Sequence, residues 1–248
     1  MATQRERFRF PNPIKSLRII VEKDISLLLL VNAIIFAGYY DITAAMPSLF
    51  AEVYGYNDIH IGLCYLPLGC GCLVAAFVNG WVQDRNFARI AGQLGIQIHK
   101  NRHVDLTSFL IEKARLQVMF PVLLIGCAGI IAFGWVLQCG VHVSAPLVIL
   151  FFCGMNVTMA FNTVSTLLVD FYPEKAAAAT AANNLCRCLL GAGATAIINP
   201  MLSGMGKGWC FTCLGLVMLL GSTPLMAIVR WGPSWREERR LRSVESQK

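Results

Sequence analysis

Six hydrophobic stretches, each long enough to cross a bilayer, occupy most of the 248 residues and constrain the fold more than any motif does. They run over 25–50, 59–82, 118–139, 146–169, 176–202 and 209–231. Each meets the ~20 residues needed to span ~30 Å of hydrocarbon. Backbone groups find no water at that depth and must bond internally, so the stretches are expected to be helices of an all-α integral membrane bundle. A content of 56% hydrophobic and 14% charged residues also leaves too few charges to clothe a soluble globule.

The charges are segregated. Six Lys and Arg residues precede the first span (Arg5, Arg7, Arg9, Lys15, Arg18, Lys23) and six lie between spans two and three (Arg85, Arg89, Lys100, Arg102, Lys113, Arg115). A third cluster lies at and after the end of span six, as Arg230, Arg236, Arg239, Arg240, Arg242 and Lys248. Lys175 falls on the same side of a six-span weave, and the opposite side receives only Lys207. The positive-inside rule then puts both termini and the 84–115 loop in the cytoplasm, with tails at 1–24 and 232–248 flanking a membrane domain at 25–231. The net charge of +7 reads as topology, not as nucleic-acid binding. The first 24 residues are polar and the apolar run after them is too long for a signal-peptide core, so span one is expected to act as its own signal anchor.

A faint internal repeat adds order. Residues 48–54 (Ser-Leu-Phe-Ala-Glu-Val-Tyr) match residues 166–172 (Thr-Leu-Leu-Val-Asp-Phe-Tyr) class by class, at the ends of spans one and four. In spans two and five, Leu63-Cys64, Leu68-Gly69 and Gly71 return as Leu185-Cys186, Leu190-Gly191 and Gly193. A three-span unit is therefore used twice. Three is odd, so the second copy must lie inverted in the membrane, the arrangement around which secondary transporters build their binding sites.

Polar residues collect in spans one, four and five: Asn32, Tyr40 and Asp41; Asn156 and Asn162; Asn183, Asn184 and Arg187. Polar groups at membrane depth need partners or water, so these three helices are expected to line a cavity. Spans three and six are nearly unbroken apolar and are expected to face lipid. Small residues recur every fourth position at Cys72, Ala76 and Gly80 and from Ala176 through Thr180, Asn184, Cys188 and Ala192 to Ala196. Two readings of that stripe stand, packing within this bundle and a close interface with a second one.

Asp41 lies about nine residues from the outer end of span one, or ~14 Å at 1.5 Å per residue. Asp41 and Arg187 are the ionisable residues at real depth, and each costs roughly 2.5–3.5 kcal/mol to insert on the translocon scale. A carboxylate there can take and release a proton, or it can serve as a structural hydrogen-bonding group. Arg187 can act in the cavity or snorkel toward the cytoplasm. The ten cysteines sit within spans or at their ends, where thiols pack as small apolar groups, and Cys210-x-x-Cys213 has neither a second pair nor a nearby His. His60, His99, His103 and His142 are in loops without ligand spacing, and no nucleotide-binding loop is present. No metal, cofactor or enzymatic chemistry is expected.

The end of span two reads Gly80-x-x-x-Asp84-Arg85-x-x-x-Arg89, which resembles the loop signature of the major facilitator superfamily in its second-half copy. The runs Leu63–Gly69, Leu168–Pro173, Ala181–Leu185, Gly206–Phe211 and Gly232–Arg239 resemble the fungal drug:proton antiporter branch with twelve spans, over about residues 10–242. The resemblance is to spans seven to twelve, with residues 1–24 similar to the central loop. The first-half loop signature and the Gly-Pro antiporter motif of the fifth span have no counterpart in these residues. The resemblance implies proton-coupled export of small organic molecules or drugs across the plasma membrane by a fold that needs an N-terminal six-span half as its partner. Organic acid, polyamine or secondary-metabolite transport by the same architecture is the alternative, as is a fragment that transports nothing. By the same resemblance Asp84 would latch onto a helix N-terminus across the domain interface, and Arg85 and Arg89 would pair with acidic groups, Asp170 and Glu174 being the local candidates. The plain alternative is a solvated turn whose charges set topology.

Overall fold

In the computed structural model of the chain, residues 23–93, 111–171 and 176–245 are described. They form eight helices: α1 (Lys23–Tyr54), α2 (Asp58–Cys64), α3 (Leu66–Gln93), α4 (Ile111–Gln138), α5 (Ser144–Phe171), α6 (Ala176–Met205), α7 (Lys207–Gly221) and α8 (Pro224–Glu245). Six of these units are long and apolar enough to span a membrane, α2 with α3 making the second span and α7 with α8 the sixth. Both breaks come from the backbone. Pro67 has no N–H to give the turn before it, and Tyr65 instead closes a tighter bond to Gly62 O at 3.3 Å. Pro224 does the same after Ser222 and Thr223.

Gly55, Gly140 and Gly206 carry positive φ, one at each of the three short turns at one end of the bundle. A left-handed residue ends a helix and lets the next N–H reach back, as Tyr56 N does to Phe50 O and Val141 N to Val136 O. Asn57 then caps α2, its side chain accepting from His60 N at 3.1 Å. The apolar stretches of the first and sixth spans end at Phe50 and Trp231. The helices run on, to Tyr54 and to Glu245, because good helix formers follow and Pro233 removes one donor without stopping the coil.

Helix pairing obeys the repeat. α1 lies along α6, α3 along α5 and α4 along α7, as a twofold exchange of units α1–α4 and α5–α8 requires. α1 is the central rod, with 61% of its most apolar window buried against 11% for α6. The α3–α5 pair is the closest: a Cβ on Gly71 would collide with the Phe151 carbonyl, and one on Gly154 with the Leu68 carbonyl. The backbones touch there, and Cys72 Sγ reaches Gly154 O at 3.4 Å. In the α4–α7 seam the rings of Phe133 and Phe211 stand edge to face at 5.2 Å, and Trp135 donates to Thr212 Oγ1 at 3.1 Å.

The repeat extends to its ion pairs. The alignment that sets Ser48 on Thr166 sets Glu52 on Asp170. Lys207, at the head of α7, binds Glu52 at 2.9 Å, and Arg115, in the first turns of α4, binds Asp170 at 3.3 Å. Each pair joins the end of a unit's first helix to the start of a third helix. One sits at the short-turn end and the other at the opposite end, as inversion demands.

Candidate functional site

α1 and α6 run parallel and touch in steps of four residues, so that three rungs form between them. Asn32 Nδ2 donates to Asn183 Oδ1 at 2.7 Å. Four residues on, the Arg187 guanidinium lies over the Phe36 ring at 4.2 Å. After four more, Gly191 lies against Tyr40, where a Cβ would come within 2.7 Å of the ring. Residues four apart share one helix face, so a constant offset between parallel helices keeps all three rungs on one line. The sequence places a glycine where a tyrosine must pass.

α5 completes the patch. Phe161 stands edge to face on Phe36 at 5.3 Å, and Arg187 lies 5.0 Å from its centroid. Tyr39 and Tyr40 extend the aromatic set, 5.9 Å apart. Two cation–ring contacts at ~0.5–2 kcal/mol each are of the same order as the ~2.5–3.5 kcal/mol cost of placing a guanidinium at this depth. The aromatic frame holds Arg187 where it is, and snorkelling is not needed. Its Nε is buried without a hydrogen-bond partner, as are Asn32 Oδ1 and Asn183 Nδ2 in the rung below. Phe36, Tyr40, Phe161, Asn162 and Arg187 are half-buried. The bundle therefore covers this face only in part.

The remaining candidates fall elsewhere. Asp41 is buried in the bundle interior within electrostatic reach of Cys210 on α7, its Oδ1 unpartnered. Asn156 is also interior: its Nδ2 turns back to Phe152 O at 2.7 Å and it lines an apolar cavity of about 30 Å³ between α1, α4, α5 and α7. Asn184 is exposed on the outward side of α6. The polar residues of the three helices thus divide into a seam set (Asn32, Tyr40, Asn183 and Arg187, both asparagines being buried), the half-buried Asn162 next to Phe161, an interior set (Asp41, Asn156) and the outward Asn184.

At the loop end a network of buried amides and a part-buried ion pair ties three helices together. Arg115 donates to Asp170 and, through a terminal nitrogen, to Gln83 Oε1 at 3.0 Å; Gln83 Nε2 donates to Thr163 Oγ1 at 2.5 Å and to Asn79 Oδ1 at 3.4 Å. The partner of Asp170 is thus Arg115, in place of the expected Arg85 or Arg89. Arg85 instead lies over the Trp81 ring at 5.2 Å. Arg115 wins because α4 enters the bundle beside α5, whereas Arg85, Arg89 and Asp84 are exposed on the far side of α3. Gly80 is exposed with open space before it. Glu174 lies outside the described residues.

Gln83, Phe36 and Phe161 were not singled out from the sequence. Phenylalanines in an apolar run look like lipid-facing filler. Gln83, one residue before the signature's Asp84, was the one visible polar signal.

This architecture of six spans in two inverted three-helix units, with polar groups concentrated at mid-depth along one seam, is half of a major facilitator fold. The Major Facilitator Superfamily profile matches residues 1–196, and the chain belongs to that superfamily. It is 40% identical over 228 residues to MFS-type transporter phiL of a fungal species, covering 90% of this chain and 54% of that protein. It is 34% identical to MFS-type transporter tstD of Talaromyces stipitatus (95% of this chain, 42% of that protein) and 34% identical to Citrate exporter 1 of Aspergillus niger (92% and 44%). The chain spans about half the length of the curated relatives it matches.

Proposed function

We propose that these residues form the second six-span bundle of a transporter that exports small organic molecules across the plasma membrane in exchange for protons, with Met1, the 84–115 loop and Lys248 in the cytoplasm. The observation that carries the proposal is the α1–α6 seam. Its charged and aromatic rungs stand at mid-depth on a face that its own bundle covers only in part. A substrate site between two bundles needs such a half-open wall. The outward residues Ala76, Gly80, Asn184, Cys188, Ala192 and Ala196 form the small-residue faces against which a first-half bundle packs. Packing within this bundle uses Gly71 and Gly154, together with Cys72 at one end of the stripe.

In this reading the two bundles rock about the seam. Asp41, buried without a full set of partners behind the wall, is the proton carrier, and Asp84 latches the bundles at the loop end. The test is a transport assay of the twelve-span protein in a fungal strain lacking efflux pumps. Energy-dependent loss of substrate from cells is expected, together with loss of its dependence on external pH in Asp41→Asn, an uncharged and nearly isosteric change. Efflux by the variant with unchanged pH dependence would return Asp41 to a structural role. Energy-dependent efflux from the 248-residue bundle alone, with surface expression shown, would overturn the two-bundle reading.

A further inference from the structure

We propose that Arg187 is the anchor for a carboxylate on the transported molecule, so that the substrate class is small organic anions and not cationic or neutral drugs. The inference rests on the exporter reading above and narrows it. Three observations support it.

The first is charge. Among the described residues Arg115 has Asp170 and Lys207 has Glu52, but Arg187 meets no carboxylate. A guanidinium therefore stands within α6 with no carboxylate beside it among the described residues. The groups facing it from α1 and α5 are the rings of Phe36 and Phe161, and the acid nearest in sequence on α1, Asp41, is buried on the Cys210 side. A cationic substrate entering this seam would be repelled.

The second is geometry. Phe36 and Phe161 take up contact area on the guanidinium, at 4.2 and 5.0 Å, and neither accepts a hydrogen bond in its plane. The N–H edges are what remain, with Nε buried and unpaired. A fork of in-plane donors held between two rings matches a carboxylate bidentately.

The third is the rung below. Asn183, one turn back on α6, keeps a buried amide N–H without an acceptor. A second carboxylate oxygen or an α-hydroxyl beside the carboxylate would satisfy it, and a hydrocarbon would not.

The experiment uses the purified twelve-span transporter in nanodiscs at fixed ionic strength, with thermal stability read against increasing citrate, succinate or benzoate. Tetraphenylphosphonium and triethyl citrate, the neutral ester, are the controls. At least one carboxylate should raise the melting temperature of the wild type while both controls leave it unchanged. Arg187→Gln should raise the half-saturating concentration by about tenfold or more, and Arg187→Lys should fall between the two. If the Gln variant does not fold, the comparison of citrate with its triethyl ester on the wild type decides alone. Equal protection by acid and ester, protection by tetraphenylphosphonium, or no protection by any carboxylate overturns the proposal; the last is the result expected if Arg187 instead pairs with an acid of the other bundle. Efflux of a cationic drug without carboxylate binding sinks this inference and leaves the exporter reading standing. Carboxylate protection in a protein that moves nothing does the reverse.

Discussion

The α3–α5 and α1–α6 seams are related by the repeat, yet they are built differently. In α3–α5 the helix backbones meet at Gly71 and Gly154, with a thiol filling the remaining space. In α1–α6 the contacts run through side chains, an amide pair, a guanidinium on a ring and a tyrosine against a glycine. Close backbone contact is the cheap way to join helices in lipid, where no hydrophobic force drives them together. A seam that gives up that contact to hold a charge and two half-satisfied amides is not optimised for cohesion. On the function proposed above, α3–α5 is the scaffold and α1–α6 the working wall.

Substitutions in the scaffold should do the most damage. Gly154→Leu cannot be accommodated without separating α3 from α5, and detergent-extracted protein is expected to lose its monodisperse peak on size-exclusion chromatography. A normal peak would remove the contrast on which the comparison stands. Next is the loop-end network, where Arg115→Gln leaves the part-buried Asp170 without its cation. Loss of about 1.5–3 kcal/mol is expected, measured as a fall in melting temperature. Its repeat partner is the control: Glu52 is 68% exposed, so Glu52→Gln should cost about 1 kcal/mol or less. Equal losses at the two ends would mean that burial does not separate them. The smallest effect belongs to the amide rung, where a double-mutant cycle on Asn32→Leu and Asn183→Leu should return a coupling of about 0.6 kcal/mol, with ~1.7 as the ceiling for such bonds in membranes.

Much of this was legible in the sequence for a physical reason. Six spans follow from hydropathy because lipid leaves a chain few other folds, and the repeat showed at its ends because turn and cap positions tolerate few residue types. The alignment of Glu52 with Asp170 was already visible, although not the partner of either. Asp170 was matched to Arg85 and Arg89 because they lie in the signature loop, whereas its real partner arrives from α4 after a loop whose course no local rule sets. Asp41, Tyr40 and Arg187 looked alike as polar residues at depth. Which way each faces depends on helix phase against neighbours, and one residue of phase separates Tyr40 on the seam from Asp41 in the interior. The aromatic frame of Arg187 was hidden for the same reason.

The division between wall and scaffold is tested most directly by labelling single cysteines, in an otherwise cysteine-free twelve-span protein in membranes, with a small water-borne maleimide. Tyr40→Cys and Asn162→Cys should react and be protected by a transported substrate, while Asn156→Cys and the native Cys153 stay unreactive because they lie inside the bundle. Labelling of the interior pair at rates equal to the seam pair, or seam labelling that substrate does not slow, would contradict the account.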